Sequence, residues 1–189
     1  MSLSEQSAPT SDAIATNGIS NYGWTTIVLH WIGAIVILVS YLTGEAMEDR
    51  SAGTYASHVS WAAVLAIPLI VRVVWRMADG IRRTSDQAAL FHLASKIVMI
   101  GFLVTIVVSV VTGILLPWSV GNPLEVFSLS IPSPLARMRE LHEILEETHE
   151  VAVQLFIPLV ALHVAGALKH AFVDRDNVLK GIFVPVGKR

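Results

Sequence analysis

Apolar residues fill four long stretches of the chain, roughly Trp24 to Gly44, Tyr55 to Met77, Leu90 to Trp118 and His142 to Val173, with polar segments between them. At a rise of about 1.5 Å per residue, a helix of roughly 20 residues crosses a hydrocarbon core about 30 Å thick. Each stretch is long enough, so the pattern predicts four transmembrane helices. The expected fold is all-α, an integral membrane four-helix bundle. Pro68 and Pro158 fall inside the second and fourth stretches and predict kinks there, with neighbouring helices re-satisfying the freed carbonyls. Gly33, Gly101, Gly113 and Gly166 either let helices approach closely or make room for a flat cofactor.

Residues 1–21 are polar, rich in Ser, Ala and Thr, and carry Glu5 and Asp12 but no Lys or Arg. That composition predicts a disordered N-terminal tail and lacks the positive start of a signal peptide. Residues 22–185 form the one transmembrane domain expected, and 186–189 a short C-terminal tail.

Composition supports the membrane reading. Hydrophobic residues make up 53% of the 189 and charged residues only 15%, with a mean hydropathy of +0.62; soluble domains are about one-quarter charged. The formal net charge of −2 conceals an asymmetry. Arg76, Arg82 and Arg83 lie between the second and third spans, and Lys169, Arg175, Lys180, Lys188 and Arg189 follow the fourth. The other two connections hold only Arg50, Arg137 and Arg139. The positive-inside rule then places both termini and the middle loop in the cytoplasm. There is no basic segment of the kind nucleic-acid binding needs, so no nucleic-acid partner is expected, and the chain's environment is membrane lipid.

The chain has no cysteine, which excludes disulfides, thiolate metal sites, cysteine-ligated iron–sulfur clusters and covalently attached haem. Any redox cofactor must then be held by other ligands, and the seven histidines are the available supply. Ionisable groups inside membrane helices are costly and point to function. His149 and His163 are fourteen residues apart, hence on nearly one face of a helix and about 21 Å apart along its axis. With the topology above, His30 and His163 share the inner half of the membrane, and His58 and His149 the outer half. Each pair comes from two different helices, the arrangement needed to clamp a porphyrin iron from both faces. The expected cofactors are two haem b groups, each with two histidine axial ligands.

The other polar positions are weighed against that frame. Arg72 is fourteen residues after His58, on the same face but at the inner depth, where a haem propionate is a suitable anion. His170 is seven residues beyond His163 and, with Lys169 beside it, is a candidate for a quinone carbonyl or a propionate. His142 and His92 fall at span ends and read as surface residues, and the tryptophans read mostly as interfacial belts. The run Glu146-Glu147-Thr148-His149 has the Glu-x-x-His spacing of di-iron bundles, but the other spans lack its partners.

The stretches "YGWTTIVLHW", "HVSWAAVLAIPLIVRVVWR" and "THEVAVQLFIPLVALHVAGALKHAFVDRDNVLKGI" resemble the bacterial cytochrome b561 family, four-helix di-haem proteins of the inner membrane. The resemblance covers about Asn21 to Pro185. It implies that His30, His58, His149 and His163 are the haem ligands and that quinone binds near the "LKHAFVDRDNVL" end. It thus implies transmembrane electron transfer linked to the quinone pool, with ubiquinone as the electron partner. One branch of the family oxidises superoxide outside and reduces ubiquinone inside, so a superoxide oxidase is an alternative. The outer loops set Arg50, Arg137 and Arg139 against Glu45, Glu48, Asp49, Glu125, Glu140, Glu143, Glu146, Glu147 and Glu150. Such a rim repels an anion and suits a basic periplasmic electron-transfer protein, as donor or acceptor. A third reading, a haem-free scaffold or a proton or metal carrier, has almost no mid-membrane carboxylates to work with.

Overall fold

A computed structural model describes residues 23–49, 52–79 and 89–184. The N-terminal tail, Arg50, Arg82, Arg83, Lys188, Arg189 and the C-terminal tail therefore lie outside the described residues. The four apolar stretches are helices: α1 (Trp24–Glu45), α2 (Ala52–Asp79), α3 (Ala89–Ser119) and α4 (Arg139–Lys169). Only 11% to 22% of the residues in the most apolar window of each helix are buried inside the protein. So much outward apolar surface is tolerable in lipid and not in water. Pro68 and Pro158 lie within α2 and α4, both of which continue through them.

Each helix contributes to a small core at mid-depth: Val36 of α1, Leu69 and Val73 of α2, Ile106 of α3 and Phe156 of α4, flanked by Leu65, Phe102 and Leu103. Helix α3 packs most extensively on α4, and α1 next most on α2. Phe156 is seven residues from both His149 and His163, so this core lies between the two histidine levels. Gly101 is a packing glycine, because a Cβ there would come 2.8 Å from Leu159 Cδ2.

The connection from α3 to α4 contains a two-stranded antiparallel hairpin, β1 (Leu124–Val126) and β2 (Leu129–Ile131), which the apolar pattern did not predict. Each strand is three residues long, too short for alternation to register. The hairpin is held from outside itself: the Phe127 N–H donates to Ser60 Oγ at 2.8 Å, and the Phe127 ring meets Trp61 edge-on at 5.1 Å. It therefore sits on the outer end of α2, next to His58.

At the other end, α4 runs into a single π-helical turn, His170–Asp174, that closes with Arg175 in the left-handed region (φ 53°). The short helix α5 (Val178–Gly181) follows. Trp31 Nε1 then donates to Ile182 O at 3.0 Å, and its ring packs 5.3 Å from that of Phe183. The C-terminal segment is thereby fastened across the inner end of α1.

Candidate functional site

The two expected histidine levels differ in how their rings are held. At the outer level, His58 Nδ1 lies 3.2 Å from Thr43 Oγ1 on α1, and His149 Nδ1 lies 2.8 Å from Thr112 Oγ1 on α3. A hydroxyl has one proton to give. Thr43 gives its proton to the Val39 carbonyl at 2.8 Å, and Thr112 to the Val108 carbonyl at 2.7 Å, the back-bonding usual for threonine in helices. Both hydroxyls must then accept from the histidines, which fixes each ring proton on Nδ1. Nε2 is left with its lone pair, the form that binds a metal.

Small residues make room for these rings. A Cβ on Gly44 would come 3.3 Å from His58 Cε1, and one on Gly113 3.3 Å from His149 Cε1.

At the inner level, His30 and His163 face one another with ring centres 6.0 Å apart and planes inclined by 42°. Two imidazoles bonding one metal from opposite sides at about 2 Å, with each nitrogen roughly 1 Å from its ring centre, have centres roughly 6 Å apart. The observed spacing therefore suits a metal between them. Phe102 supports His163 edge-on at 5.6 Å.

Arg72 stands beside this pair, its Nη2 3.0 Å from His30 Nδ1. Gly33 lets it cross α1, because a Cβ there would lie 2.8 Å from Arg72 Cδ. A guanidinium only donates, so Nδ1 of His30 accepts and the ring proton sits on Nε2. A metal on Nε2 requires the opposite tautomer. His30 Nδ1–H would then face a donor, and Arg72 would need another acceptor.

His170 and Lys169, the remaining candidates, are at the inner end but in a different cluster. His170 Nδ1 is 2.6 Å from Asp176 Oδ2, and Lys169 Nζ bonds both Asp174 oxygens at 2.8 and 2.6 Å while lying 4.3 Å over the Phe91 ring. His142, in the first turn of α4, is bonded to buried Ser119 at the end of α3, Nδ1 to Oγ at 2.9 Å.

Sequence reasoning missed Thr43, Thr112 and Asp176. The threonines stand at the depth of the outer histidines, and that matched depth was the available signal. The donor set as a whole, imidazoles in two cross-helix groups without thiolates, fits a haem iron and does not fit a hard cation.

The model of the family described as prokaryotic cytochrome b561 matches residues 21–184 of the chain. Cytochrome b561 homolog 2 of Escherichia coli (strain K12) is 25% identical over 173 residues, covering 87% of this chain and 92% of that protein.

Proposed function

Because the chain belongs to the prokaryotic cytochrome b561 family, multi-pass bacterial membrane proteins that move electrons through b-type haem, we propose that it carries electrons across the inner membrane through two haems b to ubiquinone. His58 and His149 hold the outer haem, and His30 and His163 the inner one. Iron held by two imidazoles has no open position for a substrate and takes or gives one electron at a time. Arg72, displaced from His30 by the change of tautomer, turns its donors to a propionate of the inner haem. His170 hydrogen-bonds a quinone carbonyl at the inner end, and Lys169 holds Asp174. Arg76, Lys96, Lys169, Arg175 and Lys180 cluster toward that same end, which supports its being cytoplasmic.

The facing of His30 and His163 at 6.0 Å carries this reading. A dithionite-reduced minus oxidised spectrum with a pyridine haemochrome assay tests it. Two low-spin b haems per chain are expected; one or none in folded protein would remove it, and none would revive a haem-free scaffold or carrier.

The hydroxyls give a finer test. Thr112→Val keeps the side chain's shape and removes only the partner of His149 Nδ1. Loss of such an outer partner weakens metal retention by about 10–100-fold. Transfer of haem to a scavenger globin should accelerate accordingly for one haem and be unchanged for the other.

The outer face favours a basic donor over superoxide. Exposed Glu125, Glu140, Glu143, Glu146, Glu147 and Glu150 crowd it, and Arg139 is already paired with Glu143 at 2.9 Å. Reduction by a cationic ruthenium complex should outpace reduction by an anionic reagent of equal driving force. The gap should close as salt brings the screening length down to about 8 Å. Faster reaction with the anion, or with superoxide at low salt, would favour the superoxide oxidase instead.

A further inference from the structure

The inner-end cluster does more than fasten a turn. Asp176 accepts from two directions: His170 Nδ1 is 2.6 Å from Oδ2, and the Val178 N–H donates to Oδ1 at 3.0 Å, starting α5. Asp174 also faces the ring at 3.5 Å but is neutralised by Lys169 at 2.6 Å. Asp176 is therefore the nearer of the two carboxylates and the one bonded directly to the His170 ring. The side chains of His170 and Asp176 are 12% and 21% exposed, sheltered enough for the pair to matter and open enough to exchange protons with water.

The same layer of the protein reaches the inner histidine level. Helix α5 leads to Ile182, whose carbonyl holds the Trp31 indole, and Trp31 lies 5.5 Å edge-on from His30. A quinone at this end would meet electrons and a histidine–carboxylate pair in one place.

We propose that Asp176 is the positioning residue that makes His170 the proton donor to quinone. This rests on the reading that ubiquinone is reduced at the inner end. A quinone takes two electrons and two protons to become a quinol. The electrons come singly from the one-electron donor at the outer face. With each, the Nε2–H bond of a protonated His170 breaks as an O–H bond forms at a quinone carbonyl oxygen. His170 is left neutral with Nδ1–H still on Asp176, and cytoplasmic water reloads Nε2 for the second proton. The Asp176 carboxylate, accepting from Nδ1–H, holds the ring so that Nε2 faces the quinone, as a carboxylate behind a histidine commonly does.

The test uses haem-loaded protein in detergent, pre-reduced, with decylubiquinone as acceptor. Asp176→Asn keeps an oxygen for the Val178 N–H and loses the charge together with the carboxylate oxygen that accepts from His170 Nδ1. It should lower kcat for reoxidation by about 10–100-fold, while KM and the calorimetric Kd for decylubiquinone on oxidised protein change by less than about twofold. Asp176→Glu should restore most of kcat. Should D176N prove unstable, D176E with full haem content decides: a rate as low as that of His170→Gln overturns the proposal. It is overturned equally if D176N reoxidises at the wild-type rate while His170→Gln is slow, or if D176N weakens binding and spares kcat; either result leaves the quinone site standing. If His170→Gln itself reoxidises normally, the quinone reading falls and the proposal with it.

Discussion

Replacing His149 with alanine is expected to leave a folded protein with one haem where the parent has two. Fold survival follows from the surroundings: Thr112, which loses its histidine contact, still donates to the Val108 carbonyl at 2.7 Å, so no polar group is orphaned. The loss is confined to the outer site because His149 and His163 are separated by about 21 Å along α4, with the Phe102 and Phe156 rings, 6.2 Å apart, between them. Removing one axial ligand leaves the iron a single imidazole, and the binding free energy that two ligands supplied is no longer available to hold it. His58→Ala should give the same spectrum, missing the same component. His30→Ala and His163→Ala should each remove the other component. Haemochrome stoichiometry and low-temperature difference spectra of the four variants check this. Four identical phenotypes, or a variant pairing His30 with His58, would mean the ligands are shared differently.

The helices were legible because lipid leaves the chain little choice. An expected span from Trp24 to Gly44 is observed as Trp24–Glu45, and one from Leu90 to Trp118 as Ala89–Ser119. In hydrocarbon every backbone group must be satisfied within its own helix, so an apolar run of the right length has one outcome. The fixed rise of a helix carries depth information as well, and depth is what matches His30 with His163. Lateral information was missing. A threonine in a span commonly bonds its own i−4 carbonyl, and depth alone does not show that Thr43 and Thr112 do more than Thr105, which bonds only its own helix. Their second contact exists because a neighbouring helix turns a histidine toward them. The hairpin at Leu124–Ile131 was hidden for the same reason, its anchor being Ser60 of α2. Asp176 lies within the LKHAFVDRDNVL stretch, yet its meeting with His170 depends on the π-helical turn and the left-handed Arg175, neither of which a hydropathy pattern encodes.

Arg72→Gln should lower the midpoint potential of the inner haem and leave the outer one where it is. Reduction adds one negative charge to a haem, so a nearby fixed positive charge favours the reduced form. Removing that charge makes the haem harder to reduce, which fixes the sign. For the size, an effective dielectric near 20 and a separation of roughly 8 Å give about 2 kcal/mol. Since a tenfold change in a one-electron equilibrium is about 59 mV, this corresponds to a shift on the order of 90 mV, with partial screening reducing it toward 50 mV. Arg76 remains one turn away with its Nη2 3.4 Å from Met99 Sδ, so the variant keeps some positive potential at this end. Glutamine stays polar, and Gly33 continues to leave the space through which the side chain passes; the charge is the main thing lost. Potentiometric titration followed in the α-band resolves the two haems. A fall confined to one component, in the protein that keeps both haems, assigns Arg72 to that haem. An unmoved pair of midpoints would mean the guanidinium reaches the headgroups and compensates no propionate.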